Sequence, residues 1–297
     1  AGVRLRASAA LHPSASAGSD DYAAAAGCGE APCEESASPA TPLVELNLSY
    51  TGVTDASLAG LPPESLRCLE RLSLESCRVH DRGVSQLLAG CRATLQSLDL
   101  TDVPVTSAIL PALGRCSQLR ELVLAYTEVG SAGLEALAGL TSLEKLNLDA
   151  RGVGDRGVAA VAGLPCLKEL DLFGSSAGDA ACAALGRHAS RLEALELCSG
   201  AVTDAGARHL ARCRTLRRLS LAQNVMVGPE GARALGAGLP ALSSLNLSAT
   251  RVGSSGIGGL AGLRSLHSLA VHDAGVGREA ARALGAALPY LSVSGAA

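Results

Sequence analysis

The sequence predicts an α/β solenoid of about ten repeats, with a parallel β-sheet on the inside of an arc and helices on the outside. Three observations carry the prediction. A leucine triplet spelled LxxLxL returns at a near-constant interval from Leu43 onward. Five residues after each triplet a second apolar anchor follows, and a helix-start residue stands just beyond it. A unit of strand, turn and helix this short cannot bury its own apolar face, so successive copies must stack and share one core.

The triplet begins at Leu43, Leu69, Leu95, Leu119, Leu143, Leu167, Leu192, Leu216 and Leu242, a weaker copy runs from Leu266 to Val271, and the tail LPYLSVSGAA starts an eleventh strand at Leu288. The step is 24 residues in five of the ten intervals and 22 to 26 in the others. The second and third leucines lie two apart, so on a strand both face inward and the residue between them faces out. The anchors are Val53, Val79, Val105, Val129, Val153, Ala177, Val202, Met226, Val252 and Val276. Two residues before the anchor stands a small or polar group (Thr51, Cys77, Thr127, Asn224, Thr250), placed to hydrogen-bond the turning backbone. Asp55, Asp81, Ser107, Ser131, Asp155, Asp179, Asp204 and Ser254 read as N-caps of the helices that follow, and carboxylates there suit the helix dipole. Pro229 fits a first helical turn. Apolar residues at i, i+3 and i+6, such as Leu134, Leu137 and Leu140, supply the inward helical face.

Composition narrows the function. Among 297 residues there are one Phe, four Tyr and no Trp, so the core is built of Leu, Val and Ala in many small layers. A net charge of −3 and no basic stripe exclude nucleic acid as a partner. No run of 18 or more apolar residues predicts a membrane span. Ten cysteines without a CxxC pair, mostly in small apolar slots, read as reduced thiols in an intracellular, cytoplasmic protein, and with six scattered histidines they form no metal site. Residues 1–42, rich in Ala, Ser, Gly and Pro, are expected to be a disordered segment in which Cys28 and Cys33 are the most accessible thiols. Residues 43–297 form the repeat domain. The chain lacks an initiator Met, which suggests a processed, trimmed or partial chain, and the uncovered first and last repeats suggest truncation or a partner at one end.

Ten in-register copies across about 250 residues resemble the leucine-rich repeat family. That resemblance implies a horseshoe with the sheet on the concave face. LERLSLESCRVHDRGVSQLLAGC and LEALELCSGAVTDAGARHLARC resemble the cysteine-containing repeats of F-box/leucine-rich-repeat proteins, which implies the substrate-recognition part of an SCF-type ubiquitin ligase. LSLAQNVMVGPEGARALGAGL resembles the ribonuclease-inhibitor or bacterial GALA type, which implies a regulator that clamps an enzyme or GTPase. A structural component of a cytoskeletal or organellar assembly is a further alternative.

No motif argues for catalysis, a cofactor or a small-molecule substrate. Gly253, Gly256, Gly258 and Gly259 hint at a phosphate loop, but no Lys-Ser/Thr pair follows and two of these glycines fall on ordinary repeat positions. Cys198 in LCSGAVTDAG has Asp204 where a phosphate-binding Arg would be needed, and its side chain is expected exposed on the sheet face. His80 beside Asp81 occupies slots filled elsewhere by Thr-Asp, and so belongs to a helix start.

The informative residues are those that the repeat leaves free, at the third, fifth and seventh positions of each copy. They hold eight acids (Glu45, Glu75, Asp99, Glu121, Asp149, Glu169, Asp171, Glu196) and three bases (Arg71, Lys145, Arg218), a net of −5. Phe173 falls at a seventh position, and Tyr50 and Tyr126 at the eighth. Exposed aromatics are frequent interface anchors. The expectation is a non-enzymatic scaffold that binds a basic or mixed-charge protein partner through Phe173, Tyr126, Tyr50, Asp149, Asp171, Glu196, Asp99 and Glu75.

Overall fold

A computed structural model of the chain describes residues 4–7, 42–149 and 151–296. One twelve-stranded sheet runs in sequence order: β1 (Arg4–Ala7), β2 (Leu43–Asn47), β3 (Arg71–Ser73), β4 (Ser97–Asp99), β5 (Glu121–Val123), β6 (Lys145–Asn147), β7 (Glu169–Asp171), β8 (Ala194–Glu196), β9 (Arg218–Ser220), β10 (Ser244–Asn246), β11 (Ser268–Ala270) and β12 (Ser292–Ser294). From β2 to β12 every pairing is parallel and in repeat register, so Leu46, Leu72, Leu98, Leu122, Leu146, Leu170, Leu195, Leu219, Leu245, Leu269 and Val293 form one unbroken column. The ladder continues past each short strand. The amides of Leu48, Leu74 and Leu100 donate to Ser73, Asp99 and Val123 of the following repeat, and those of Tyr50, Ser76 and Asp102 to Glu75, Thr101 and Ala125.

β1 departs from the expectation of a disordered segment over residues 1–42. Arg4–Ala7 runs antiparallel to β2, with a register shift between Arg6 and Ala7, and occupies the edge that the sequence left uncapped at Leu43. Residues 8–41, with Cys28 and Cys33, lie outside the described residues.

On the far side of the core lie the α-helices α1 (Asp55–Ala59), α2 (Asp81–Cys91), α3 (Leu110–Leu113), α4 (Asp155–Val161), α5 (Asp179–His188), α6 (Asp204–Leu210), α7 (Pro229–Gly238), α8 (Gly253–Ile257) and α9 (Arg278–Ala287). Leu134–Gly139 is a 3-10 helix. This suits its i, i+3, i+6 leucines, which eclipse at three residues per turn. All triplet leucines from Leu69 to Leu269 are buried, while Leu43 and Leu48 in the first repeat and Leu291 in the last are half-buried.

The polar turn residues act as expected. The hydroxyls of Thr51, Thr127 and Thr250 donate to the carbonyls of Leu48, Leu124 and Leu247 at 2.6, 2.7 and 2.6 Å. Buried Asn224 does more: its Nδ2 donates to Leu197 at 2.7 Å and to Leu221 at 3.0 Å, while its Oδ1 accepts from the Val202 amide at 3.1 Å. Met226 is corrected. It is 58% exposed, and Val227 fills the anchor slot instead, because this repeat carries one residue more in its turn.

The helix-start residues are also corrected. Asp81, Asp155, Asp179 and Asp204 are the first residues of their helices, and their carboxylates reach forward to the next repeat. Asp179 accepts from the Thr203 amide at 2.8 Å and the Thr203 hydroxyl at 2.7 Å. Asp204 accepts from the amides of Gly228 at 2.7 Å and Gly231 at 2.8 Å. Ser107, Ser131 and Ser254 do the same through Oγ for Gly130, Gly154 and Gly277. Each such residue joins two layers, and all but Ser107, whose partner Gly130 precedes the turn before Leu134–Gly139, do so at the start of the neighbour's helix. The glycine of each Asp-x-Gly eases the approach: a Cβ on Gly206 would lie 2.4 Å from Asp179 Oδ1, although in the sixth repeat Ala181 fills the same slot and its amide donates to Asp155 at 3.0 Å.

Candidate functional site

The concave face divides into two halves by strand position. Third-position residues hold three acids and three bases, and these pair one to one. Arg71 meets Glu45 at 3.1 Å, Lys145 meets Glu121 at 4.0 Å and Arg218 reaches across two strands to Glu169 at 3.3 Å. This half is neutral. The row just outside it is paired as well, with Glu144 between Arg120 at 3.3 Å and Lys168 at 2.6 Å. That contact holds the Glu144 carboxyl below its ordinary range, chiefly through its hydrogen bond and ion pair with Lys168.

All of the net −5 therefore sits at the fifth and seventh positions, in Asp99, Asp171, Glu196, Glu75 and Asp149, along the C-terminal ends of the strands. None of these five is ion-paired to a base among the described residues. Asp102, at an eighth position, lies on the same rim and accepts from the Ser76 hydroxyl at 2.9 Å. It is a rim acid that the sequence reading missed; extending the count to the eighth position, as was done for the tyrosines, would have found it.

The fifth-position Asx residues also shape the rim. Asp99 and Asp171 accept from the amides of Thr101 and Phe173, two residues on, at 2.9 and 3.0 Å, as Asn47, Asn147 and Asn246 do in their own repeats. This local turn sets the seventh residue's direction. Asp171 takes a further bond from Asn147 Nδ2 at 3.0 Å. Burial raises the Asp171 carboxyl above its usual range, and the charges of Glu196 and Asp149 add to the rise against the bond from the Phe173 amide.

Phe173 projects where the period of two places it, whereas Tyr50 and Tyr126, past the strand ends at an even position, are exposed through a turn of the backbone. Phe173 is 42% exposed, Tyr50 63% and Tyr126 68%. Tyr50 and Tyr126 stand in left-handed backbone (φ 58° and 57°), a slot that Gly174 fills in the sixth repeat (φ 67°). The Tyr50 hydroxyl donates to Glu75, which raises its pKa, and the charge of Asp149 does the same for Tyr126. Tyr50, Glu75 and Asp99 share one hollow of about 570 Å³. Tyr126, Asp149 and Phe173 share another of about 910 Å³, and Asp171 and Glu196 line a third of about 530 Å³ at the centre of the arc.

Cys198 is corrected. It is 2% exposed, lying below longer neighbours, where its thiol donates to Glu196 at 2.8 Å and meets Ser220 Oγ at 2.9 Å. Burial, with help from Glu196, pushes the thiol up to about 12, so it is protonated and unreactive at neutral pH. No group of three or more His, Cys, Asp or Glu that could hold a metal ion occurs among the described residues.

A family profile described as Leucine Rich repeat matches residues 65–88, 115–138 and 212–236. No curated protein matches the chain. Among solved structures, that of PEPR1-AtPEP1 superposes with a TM-score of 0.56 at 18% identity, over 86% of this chain. The chain spans 35% of that protein's length. An internalin (inlF) from Listeria monocytogenes is also similar, at 18% identity over 84% of this chain and 86% of its own, with a TM-score of 0.43. Repeat, register and fold agree: the chain is a leucine-rich repeat solenoid.

Proposed function

We propose that the chain is a non-enzymatic interaction scaffold that binds a protein partner, basic or of mixed charge, on its concave face. The separation of charge carries this reading. Bases are present on the sheet, but each is consumed by an acid of its own row, and the acids left over line one rim together with three exposed aromatics. A surface needed for solubility alone has no reason to sort its charges by strand position. Leucine-rich repeat proteins are in general interaction scaffolds, which supports the reading.

Capture from a lysate followed by quantitative mass spectrometry tests it, with the wild type compared to Glu75→Lys/Asp149→Lys/Glu196→Lys. Proteins held by the wild type are expected to be released by the variant at unchanged melting temperature. The same proteins retained on both would remove the concave rim as the interface. A second reading, the substrate receptor of an SCF-type ubiquitin ligase, draws on the cysteine-containing repeats. Ring-ligase adaptors in the captured set would favour it, whereas one stoichiometric enzyme would favour a clamp and a large insoluble assembly a structural part. A reducing, cytoplasmic setting is supported by eight described cysteines that are all free thiols.

A further inference from the structure

We infer that the notch between Tyr126 and Phe173 is a cation subsite, taking the guanidinium or ammonium group of one basic side chain from an extended partner segment laid across the strand ends. The inference rests on the concave-face reading above and gives it a point of attachment.

Spacing comes first. Tyr126 belongs to the fourth repeat and Phe173 to the sixth, so two parallel strand spacings, roughly 10 Å, separate their backbones. That leaves room for one cationic group near both rings, each within the ~6 Å over which an aromatic face attracts a cation. Gly174 lines the hollow and adds no side chain to it; a Cβ there would lie 3.4 Å from Asp149 Oδ1.

Charge comes second. Asp149 stands between the rings, with Asp171 and Glu196 in the next two repeats, and no base is paired with them among the described residues. Exposed Arg151 lines the lip together with Glu128. Its like charge opposes a bound cation and gives the test a sign of its own.

Exposure of the ring comes third. Tyr126 fills the left-handed slot that Ser76, Asp102, Ser199, Gln223, Ala249 and Asp273 fill in other repeats, so the conformation belongs to the repeat; what is particular here is a large ring that contributes nothing to the core. A bulky aromatic kept at such a position points to use outside the fold. The occupant follows from the dimensions. An extended or polyproline-like chain rises about 3.1–3.3 Å per residue, so three of its residues span two repeats. A segment of about nine residues would cross from Tyr50 to Glu196 with basic side chains directed at the rim.

Amide NMR titration of the full chain with Ac-Ala-Ala-Arg-Ala-Ala-amide, its lysine counterpart and its glutamine counterpart tests the inference. Shifts are expected at Asp149, Phe173 and Gly174 with both cationic peptides, with binding roughly three- to fivefold weaker for the glutamine peptide. Phe173→Ala and Tyr126→Ala should each weaken the arginine peptide by a similar factor. Arg151→Ala should tighten it, and Glu169→Gln, in the neutral row, should leave it unchanged. Absence of shifts at millimolar peptide, equal shifts with the glutamine peptide, or full binding by Phe173→Ala would overturn the subsite. Shifts centred instead on Glu75 and Asp99 would overturn the subsite and leave the concave-face reading standing. That reading falls separately, if the charge-reversed variant keeps its captured proteins.

Discussion

Tyr126 shows how the rim departs from what the fold alone would choose. Tyr126→Gly removes the left-handed penalty, and calorimetry should record a melting point higher by about 2 °C, while binding of the captured partner weakens. Phe173→Ala should weaken that binding by roughly 2 kcal/mol with stability nearly unchanged. The Asp171 carboxyl, raised in the folded chain, takes up a proton more readily than in the unfolded chain. Its contribution therefore opposes folding at neutral pH, and this opposition fades as pH falls through the folded value. A carboxyl-carbon NMR titration should find its midpoint above that of an ordinary aspartate, moving down when a cationic peptide binds. Binding itself should weaken as pH falls, with Asp171 losing its charge at a higher pH than an ordinary aspartate. Phe173 was legible in the sequence because a strand's period of two fixes which side chains leave the sheet; the two tyrosines were legible only as neighbours of that face, and the left-handed turn that exposes them was not. Cys198 and Met226 were not. Cys198 is short enough to be covered by its neighbours, and one extra turn residue moved Met226 off its anchor slot, neither of which a fixed count reveals.

Helix starts were legible by residue type but not by partner. Aspartate or serine marks most starts, yet the amides they hold lie 23 to 27 residues ahead, across a layer boundary that no local pattern crosses. The Asp-x-Gly spelling is the trace of this in the sequence. Gly→Ala inside a helix ordinarily stabilises by about 1 kcal/mol. Gly206→Ala should instead destabilise by about 1–3 kcal/mol, because its Cβ would meet Asp179 Oδ1 at 2.4 Å and Val202 Cγ1 at 2.8 Å. Asp179→Ala should cost about 1–2 kcal/mol through the amide and hydroxyl it abandons. In denaturant titrations the double variant should lose less than the sum of the two, since removing the carboxylate relieves the alanine's clash.

The solenoid as a body was the most legible feature, since the leucine column needs nothing but its period. Truncating one member, Leu146→Ala at 2% exposure, should cost about 3 kcal/mol and broaden the unfolding transition as the layers on either side uncouple. The division of charge into a neutral row and an acidic rim was not legible from the total. Only register shows that Arg218 reaches Glu169 rather than the nearer Glu196. The forward caps have a mechanical consequence. They link repeat to repeat along the outer side until the eighth helix start, where Pro229 has no side-chain acceptor to offer Gly253. The column of leucines crosses that seam, as does the backbone bond from the Arg251 amide to the Val227 carbonyl at 2.9 Å, but no side-chain clasp from a helix start does among the described residues. Under load, or in hydrogen exchange close to native conditions, the chain should part there, residues 242–296 opening as one cooperative block while the layers before them stay shut.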